Sequence, residues 1–405
     1  MQIIVDRKEN SYSVAFALVF LTGSIQEPNN KSGITHLIEH MAFRKAKDKT
    51  QAEIYDYLER LGVKVDACTG RNFIKFSFVC RTDVFDKVLN LFHDMLYEFD
   101  YTESELKAEK AVVAAEIQER ASTNRQIIID ETWLNKSYSK SILGTDKSLR
   151  RITLADLIDY KKKLLATDGA AFLIGNVGDA EYDSVKKLFG DLGTSRAEYS
   201  VADTERSRKS GRVKFIDDEY DLIDIYYAAH LRLSDKQRER DIVCLQMLNS
   251  ALFQGDAAYV KGSVRERMGL IYEVDSTVRI IGNEAVMLFS LQVDKNKVVQ
   301  CIETLERELN EFVYDEKYHA YIKAYFCDNV IMLQDNIKEK AEQYVYNYID
   351  FGKAVSPERY GELVKSISFD EYNEVYKRLM SDRNVYVFGD VSGSQKRAIR
   401  KLCVK

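Results

Sequence analysis

Two of the five histidines, His36 and His40, stand four residues apart in the run Gly33-Ile-Thr-His-Leu-Ile-Glu-His-Met-Ala-Phe43. On a helix that spacing projects both imidazoles from one face, about one turn apart. Two neutral imidazoles so placed can share a Zn²⁺ at about 2.0–2.1 Å each. Glu39 stands beside His40 and three residues after His36, where its carboxylate can reach a water held by the metal. Such a site is still one protein ligand short, because a catalytic zinc usually takes three, plus water. The stretch ESELKAEKAVVAAEIQER, residues 103–120, offers carboxylates on a second helix. Glu109 and Glu116 are seven apart, two turns along one face, beside the apolar Val112, Val113 and Ile117. A carboxylate on the buried side of a helix is costly unless paired or metal-bound. Both are therefore candidates, whereas Glu103, Glu105 and Glu119 read as an ordinary solvated face.

The elements that must hold these residues follow from periodicity. Apolar alternation or runs predict strands over 12–22, 63–69 and 72–80, and 3.6-residue stripes predict helices over 33–44, 51–61, 83–98 and 103–121. Thr50 with Glu53 and Thr102 with Glu105 fit the capping box, fixing two helix starts. Helices mixed with hairpin-like strands give an α+β class, helices layered on a largely antiparallel sheet. The chain of 405 residues, 45% hydrophobic and 30% charged, can bury a sizeable core. Fifty-nine basic against 64 acidic residues, net charge −5, argue against a nucleic-acid partner. Val14 to Thr22 is too short for a membrane span and reads as a buried strand. Six scattered cysteines without a CxxC pair read as free thiols in a reducing compartment. The expected location is cytoplasmic, with no membrane partner.

The chain also looks duplicated. Residues 152–179 and 367–393 each read as a capped helix, a short loop and an apolar strand closing on glycine, about 215 residues apart. The polar stretch SRAEYSVADTERSRKSGR reads as the linker between the copies. The expected domains are 1–194, carrying the histidine pair, a linker at 195–212, and 213–405. The second copy has no histidine pair where the first does, reading CLQMLNSALF, so one metal site per chain is expected.

The inverted zinc motif H-x-x-E-H, with TGS-x-x-EP-x-NKSGI leading into it, resembles the pitrilysin-type zinc peptidases, the M16 family. The closest resemblance is to its short two-domain subfamily, which includes the mitochondrial processing peptidases. In that family the third ligand follows the second histidine by the spacing that separates Glu116 from His40, and a further acidic residue falls on Glu109. The resemblance implies two homologous α/β-sandwich domains of the LuxS/metallohydrolase-like fold, related by internal duplication. It implies that His36, His40 and Glu116 bind zinc, that Glu39 is the general base for a zinc-bound water, and that Glu109 orients the site. Val264-Arg-Glu-Arg-Met-Gly-Leu-Ile-Tyr272 is similar to the family's R-x-x-x-x-x-x-Y signature, matching at Arg265 and Tyr272. Those groups suit gripping substrate carbonyls and a developing oxyanion.

Short family members pair two chains into a chamber, so the resemblance implies a homodimer in which Arg265 and Tyr272 serve the partner's zinc. The alternative is a heterodimer with a motif-degenerate paralogue. The implied activity is zinc-dependent endopeptidase cleavage of peptides or unfolded segments bound as an added edge strand beside Val63 to Thr69. Asp66 stands there where many relatives have asparagine, and an ionised Asp cannot donate to a peptide carbonyl. The alternatives are a dedicated leader or presequence processing peptidase for one precursor, and a non-catalytic subunit of a heteromeric complex.

Overall fold

The computed structural model describes residues 1–119, 125, 128–130, 139–192, 211–217, 222–254, 258–312 and 315–403, with backbone alone for Glu266, Arg267, Tyr272 and Glu273. They cluster into two units, Met1–Asp203 with Met332–Pro357, and Thr204–Ile331 with Glu358–Lys405.

The first unit is built on five strands: β1 (Gln2–Arg7), β2 (Ser13–Phe20), β3 (Lys64–Thr69), β4 (Ile74–Arg81) and β5 (Gly169–Gly175), in spatial order β1-β5-β2-β4-β3. Only the β1–β5 pair is parallel. Strand β2 is buried on both faces, which is why its sequence SVAFALVF is a continuous apolar run rather than an alternation. Val14, Phe16, Leu18 and Phe20 face one core with helices α1 (Ile34–Ala42), α2 (Gln51–Arg60), α3 (Phe85–Leu96) and α4 (Glu103–Glu119). Phe16, Phe78 and Phe92 knit that core, with ring centroids 5.2 Å apart for Phe16–Phe78 and for Phe78–Phe92. Ala15, Ala17 and Val19 face a second core, covered by the helix Ile337–Phe351 through Ala341, Tyr344, Val345, Tyr348 and Ile349.

That helix is where the structure departs from a division at residue 213. It lies late in the chain, yet Met332–Pro357 belong to the first unit. The physical reason is the outer face of the first sheet, too apolar to be left in water. The linker expected over 195–212 lies outside the described residues, apart from Gly211 and Arg212.

The second unit repeats the first strand for strand. Its strands are β6 (Val213–Ile216), β7 (Leu222–Arg232), β8 (Ile271–Ile281), β9 (Glu284–Asp294) and β10 (Arg383–Phe388), in spatial order β6-β10-β7-β9-β8. Here too only one pair, β6–β10, is parallel. Thr153 and Ser368 close equivalent capping boxes, and Gly175 and Gly389 end equivalent strands at φ 117° and 128°. The duplication read from sequence is thus a shared topology.

The expected elements lie within a few residues of their predicted bounds; the helix expected over 103–121 is described as far as Glu119. Both expected capping boxes form, Thr50 with Glu53 and Thr102 with Glu105. Strand β1, QIIVDR, has no sequence signal strong enough to predict it: at the sheet edge its residues are half-buried or exposed, and the apolar run of Ile3, Ile4 and Val5 ends on the adjacent charges Asp6 and Arg7. Among the described residues no helix is long and apolar enough to cross a membrane.

Candidate metal centre

Helix α1 carries two chemistries on adjacent faces. Ile34, Leu37, Ile38 and Met41 are sunk in the core and fix the helix in place, each worth about 1.5–3 kcal/mol of burial. His36, Glu39 and His40 then point along the other face, toward α4 and β3. The helix begins at Gly33, whose φ of 92° is left-handed and where a Cβ would come within 2.5 Å of the Leu143 carbonyl oxygen.

The first turn is held by a distant carboxylate rather than by its own N-cap. Glu27, only 3% exposed, accepts the Gly33 N–H (2.8 Å) and the Thr35 N–H (2.9 Å) on its two oxygens. It thereby satisfies two of the orphan donors that every helix start presents. Burial pushes its pKa up to about 7, against the two backbone N–H groups and the nearby Lys140, which favour the ionised form.

Helix α4 brings its carboxylates to the same place. Leu106, Glu109 and Val113 form its buried stripe, continued one turn on by the half-buried Glu116. Glu116 Oε2 lies 3.0 Å from His36 Nε2 and 3.7 Å from His40 Nε2. One donor atom from each of His36, His40 and Glu116 falls within 4.8 Å of the others. Two imidazole nitrogens and a carboxylate oxygen that converge in this way suit a divalent transition metal, zinc above all. Glu109 is nearly fully buried and takes the other side of His40, its Oε2 3.3 Å from Nδ1. A bond from Nδ1–H leaves Nε2 as the free lone pair, the usual carboxylate–histidine arrangement around zinc. Arg44, one turn beyond His40, donates to Glu109 Oε1 (3.1 Å) and to Gln51 Oε1 (3.0 Å), so the buried carboxylate is neutralised.

Glu39 stands apart from that triplet but touches it. Its Oε2 is 3.5 Å from His36 Nδ1 and accepts a hydrogen bond from the Thr69 hydroxyl. Burial alone would raise its pKa, but the His36 and Thr69 contacts win and hold it below the usual carboxylate value. For His36 burial opposes the charged form, and the contacts with Glu39 and Glu116 nonetheless raise its pKa above the usual value. In the metal-free protein that raised pKa stabilises the fold most fully below pH 6.5, and the contribution is lost as pH rises through the folded value. A metal must displace that proton. Its affinity is therefore expected to fall about tenfold per pH unit below the folded pKa, measured by competition with a chromophoric chelator between pH 5.5 and 7.5. An affinity flat across that range would show that His36 gives up no proton to the metal.

Strand β3 is an edge strand: it pairs with β4 alone, and no strand among the described residues lies on its other side. Thr69 at its end places that edge against Glu39. Asp66 does not stand alone there, since its Oδ2 lies 3.2 Å from the Lys75 ammonium.

In the second unit Arg265 sits in a wide, π-helical turn, Lys261–Arg267, just before edge strand β8. Tyr272 is on β8, and its side chain lies outside the described residues. Arg238–Phe253 follows β7 as α1 follows β2, and its sequence places Cys244 to Phe253 where α1 has its histidines. Sequence reasoning missed Arg44, Thr69 and Glu27 as contacts of the site. Only Glu27 left a trace, in the EP of the motif preceding α1.

Residues 2–146 match the family described as insulinase (peptidase family M16), and residues 151–325 match the peptidase M16 inactive domain. A protein of Rickettsia felis named as a zinc protease is 22% identical over 91% of this chain and 90% of its own length. The zinc protease YmxG of Bacillus subtilis is 26% identical over 76% of this chain and 75% of its own. The human mitochondrial-processing peptidase subunit beta is 23% identical over 59% of this chain and 50% of its own. A solved protease structure from Helicobacter pylori superposes with a TM-score of 0.81 at 17% identity, covering 96% of both chains. With two M16 profiles spanning most of its length, a two-unit α+β fold and relatives named as zinc proteases, the chain belongs to the M16 metallopeptidase family.

Proposed function

We propose that the chain is a zinc-dependent endopeptidase that cuts peptides or unfolded segments laid as an extra strand beside β3. The observation that carries this reading is the convergence of His36, His40 and Glu116 with Glu39 at their side, at the end of a sheet edge that no strand among the described residues covers. His36, His40 and Glu116 hold one zinc per chain, and Glu109 orients His40. When bound, the ion supplies Lewis acidity, polarising a carbonyl and acidifying water. Glu39 is the general base: its Thr69 and His36 contacts both fall on Oε2. That leaves Oε1 to take the proton of the attacking water, which Glu39 then returns to the leaving amine. Backbone N–H and C=O groups of β3 hold the substrate strand, so main chain is read before side chains.

Arg265 and Tyr272 grip the substrate carbonyl. One chain carries the metal residues in its first copy and these two in its second, which suits a homodimer whose two halves complete each other's sites. The six free cysteines, with Cys80, Cys244, Cys301 and Cys403 pushed up to about 12 by burial, suit a reducing cytoplasm. A non-catalytic subunit has no use for a base held ionised beside a metal site.

Incubation of the purified chain with a mixed peptide library tests the reading. The expected result is internal cleavage that a chelator abolishes, with one zinc per chain. Chelator-insensitive cleavage, or zinc without cleavage, would overturn it. In the same assay, a mixture of inactive Glu39→Gln and Arg265→Ala chains is expected to recover activity through one intact mixed site. No recovery despite subunit exchange would sink the shared site.

A further inference from the structure

The first unit has a cavity of about 310 Å³ on the face of its sheet opposite the metal helix, between β2, β3 and β4 and the helix Ile337–Phe351. It exists because the facing residues are small: Ala15 and Ala17 on β2, Ser77 on β4 and Ala341 on the helix. Val79 and Val345 complete an apolar floor. Four of the five charged residues around it pair with one another, Asp66 with Lys75 at 3.2 Å and Glu342 with Lys338 at 4.0 Å, and Lys64 stands at its β3 side. The two pairs neutralise most of the charge at its rim, and the floor itself is apolar. The volume sits at the lower end of the range for ligand pockets, about 300–1,000 Å³.

We propose that this cavity receives an apolar, preferably aromatic, side chain of the substrate strand, and so sets a sequence preference remote from the cleaved bond. The inference rests on the peptidase reading above and deepens it. Successive side chains of a strand point to opposite faces. On β3, Val65 and Ala67 pack on the core shared with α1, while Lys64 and Asp66 line the cavity. A peptide added to this edge follows the same alternation, sending every second side chain toward the cavity side. Thr69, which contacts Glu39, marks the reacting end of the edge. Asp66 and Lys64 lie three and five residues before it, about 10 and 17 Å along the strand. The cavity is therefore reached by a side chain three or five residues from the scissile bond, on one side of it only.

An aromatic residue fits best, since it fills an apolar volume with only two rotatable bonds to order. The helix that closes the cavity, Ile337–Phe351, thus has a part in substrate choice although it comes from late in the chain.

The test is the cleavage-site profile of a peptide library cut by the wild-type chain and by two variants that fill the cavity, Ser77→Leu and Ala341→Phe. Both positions are outside the metal site, Ser77 is only half-buried, and the Tm of each variant reports whether it folds. The expected wild-type result is about tenfold enrichment of Phe, Tyr or Trp at one position three or five residues from the cut. In the variants that enrichment falls to about twofold or less, while cleavage of peptides too short to reach the cavity is unchanged. Wild-type cleavage without such a preference, or a preference that survives both substitutions, overturns the cavity proposal alone. No cleavage by the wild-type chain overturns the peptidase reading and this proposal with it.

Discussion

Glu39→Gln is expected to leave zinc bound at one per chain and to lower kcat/KM by about 10³-fold, the middle of the range for loss of a general base. Glutamine is nearly isosteric, and its carbonyl oxygen can still accept the Thr69 hydroxyl that now meets Glu39 Oε2. The metal group His36, His40 and Glu116 does not include Glu39, so its donor atoms are unchanged. What disappears is a carboxylate beside His36 that is neither in the metal group nor tied to Arg44. An amide cannot accept a proton at neutral pH, so the water loses its base while the substrate edge at β3 stays as it was. KM is therefore expected to move little and kcat to carry the loss. Metal analysis and steady-state kinetics on the same preparation decide the matter. Full activity in a zinc-loaded Glu39→Gln chain would remove Glu39 from the mechanism, and loss of zinc would make it a ligand instead.

The parts of this site that were legible in the sequence are those that a single element encodes. His36, Glu39 and His40 lie within five residues, so helical geometry alone places them on neighbouring faces. Glu109 and Glu116 could be selected from α4 because Val113 and Ile117 mark their face as inward, although the third neighbour, Val112, is exposed, and the structure brings both carboxylates to α1. Neither Arg44 nor Thr69 could be found this way. Each meets the site only after α4 or β3 has docked, and an Arg after a helix or a Thr ending a strand has no distinguishing pattern. Glu27 is similar: five residues of irregular chain separate it from Gly33, and only the folded loop turns its carboxylate back onto α1. The helix Ile337–Phe351 shows a more general limit. Its stripe of Ala341, Tyr344, Val345, Tyr348 and Ile349 announces a face to be buried, but periodicity does not say which sheet will cover it.

His40→Ala separates metal binding from folding more cleanly than any other change in the site. It removes one of three donors, and zinc affinity is expected to fall by well over the 10–100-fold that loss of an outer hydrogen-bond partner costs. Activity at equal total zinc should disappear with it. The fold should survive, because Glu109, the nearly fully buried carboxylate that loses its imidazole neighbour, keeps the Arg44 guanidinium at 3.1 Å. An uncompensated buried charge, the usual reason such a substitution costs 3–5 kcal/mol, is thus avoided. In a chelator, where neither chain carries metal, the Tm of the variant should stay within a few degrees of wild type; with zinc, only the wild-type Tm should rise. Glu109→Gln supplies the contrast. It spares all three donors and perturbs the bond to His40 Nδ1 and the ion pair with Arg44, so its loss of affinity should stop at about 10–100-fold, with activity recoverable at high zinc. If His40→Ala held zinc as tightly as Glu109→Gln, the ranking of inner and outer groups around α1 would be wrong, and the metal, if any, would have to sit elsewhere than between α1 and α4.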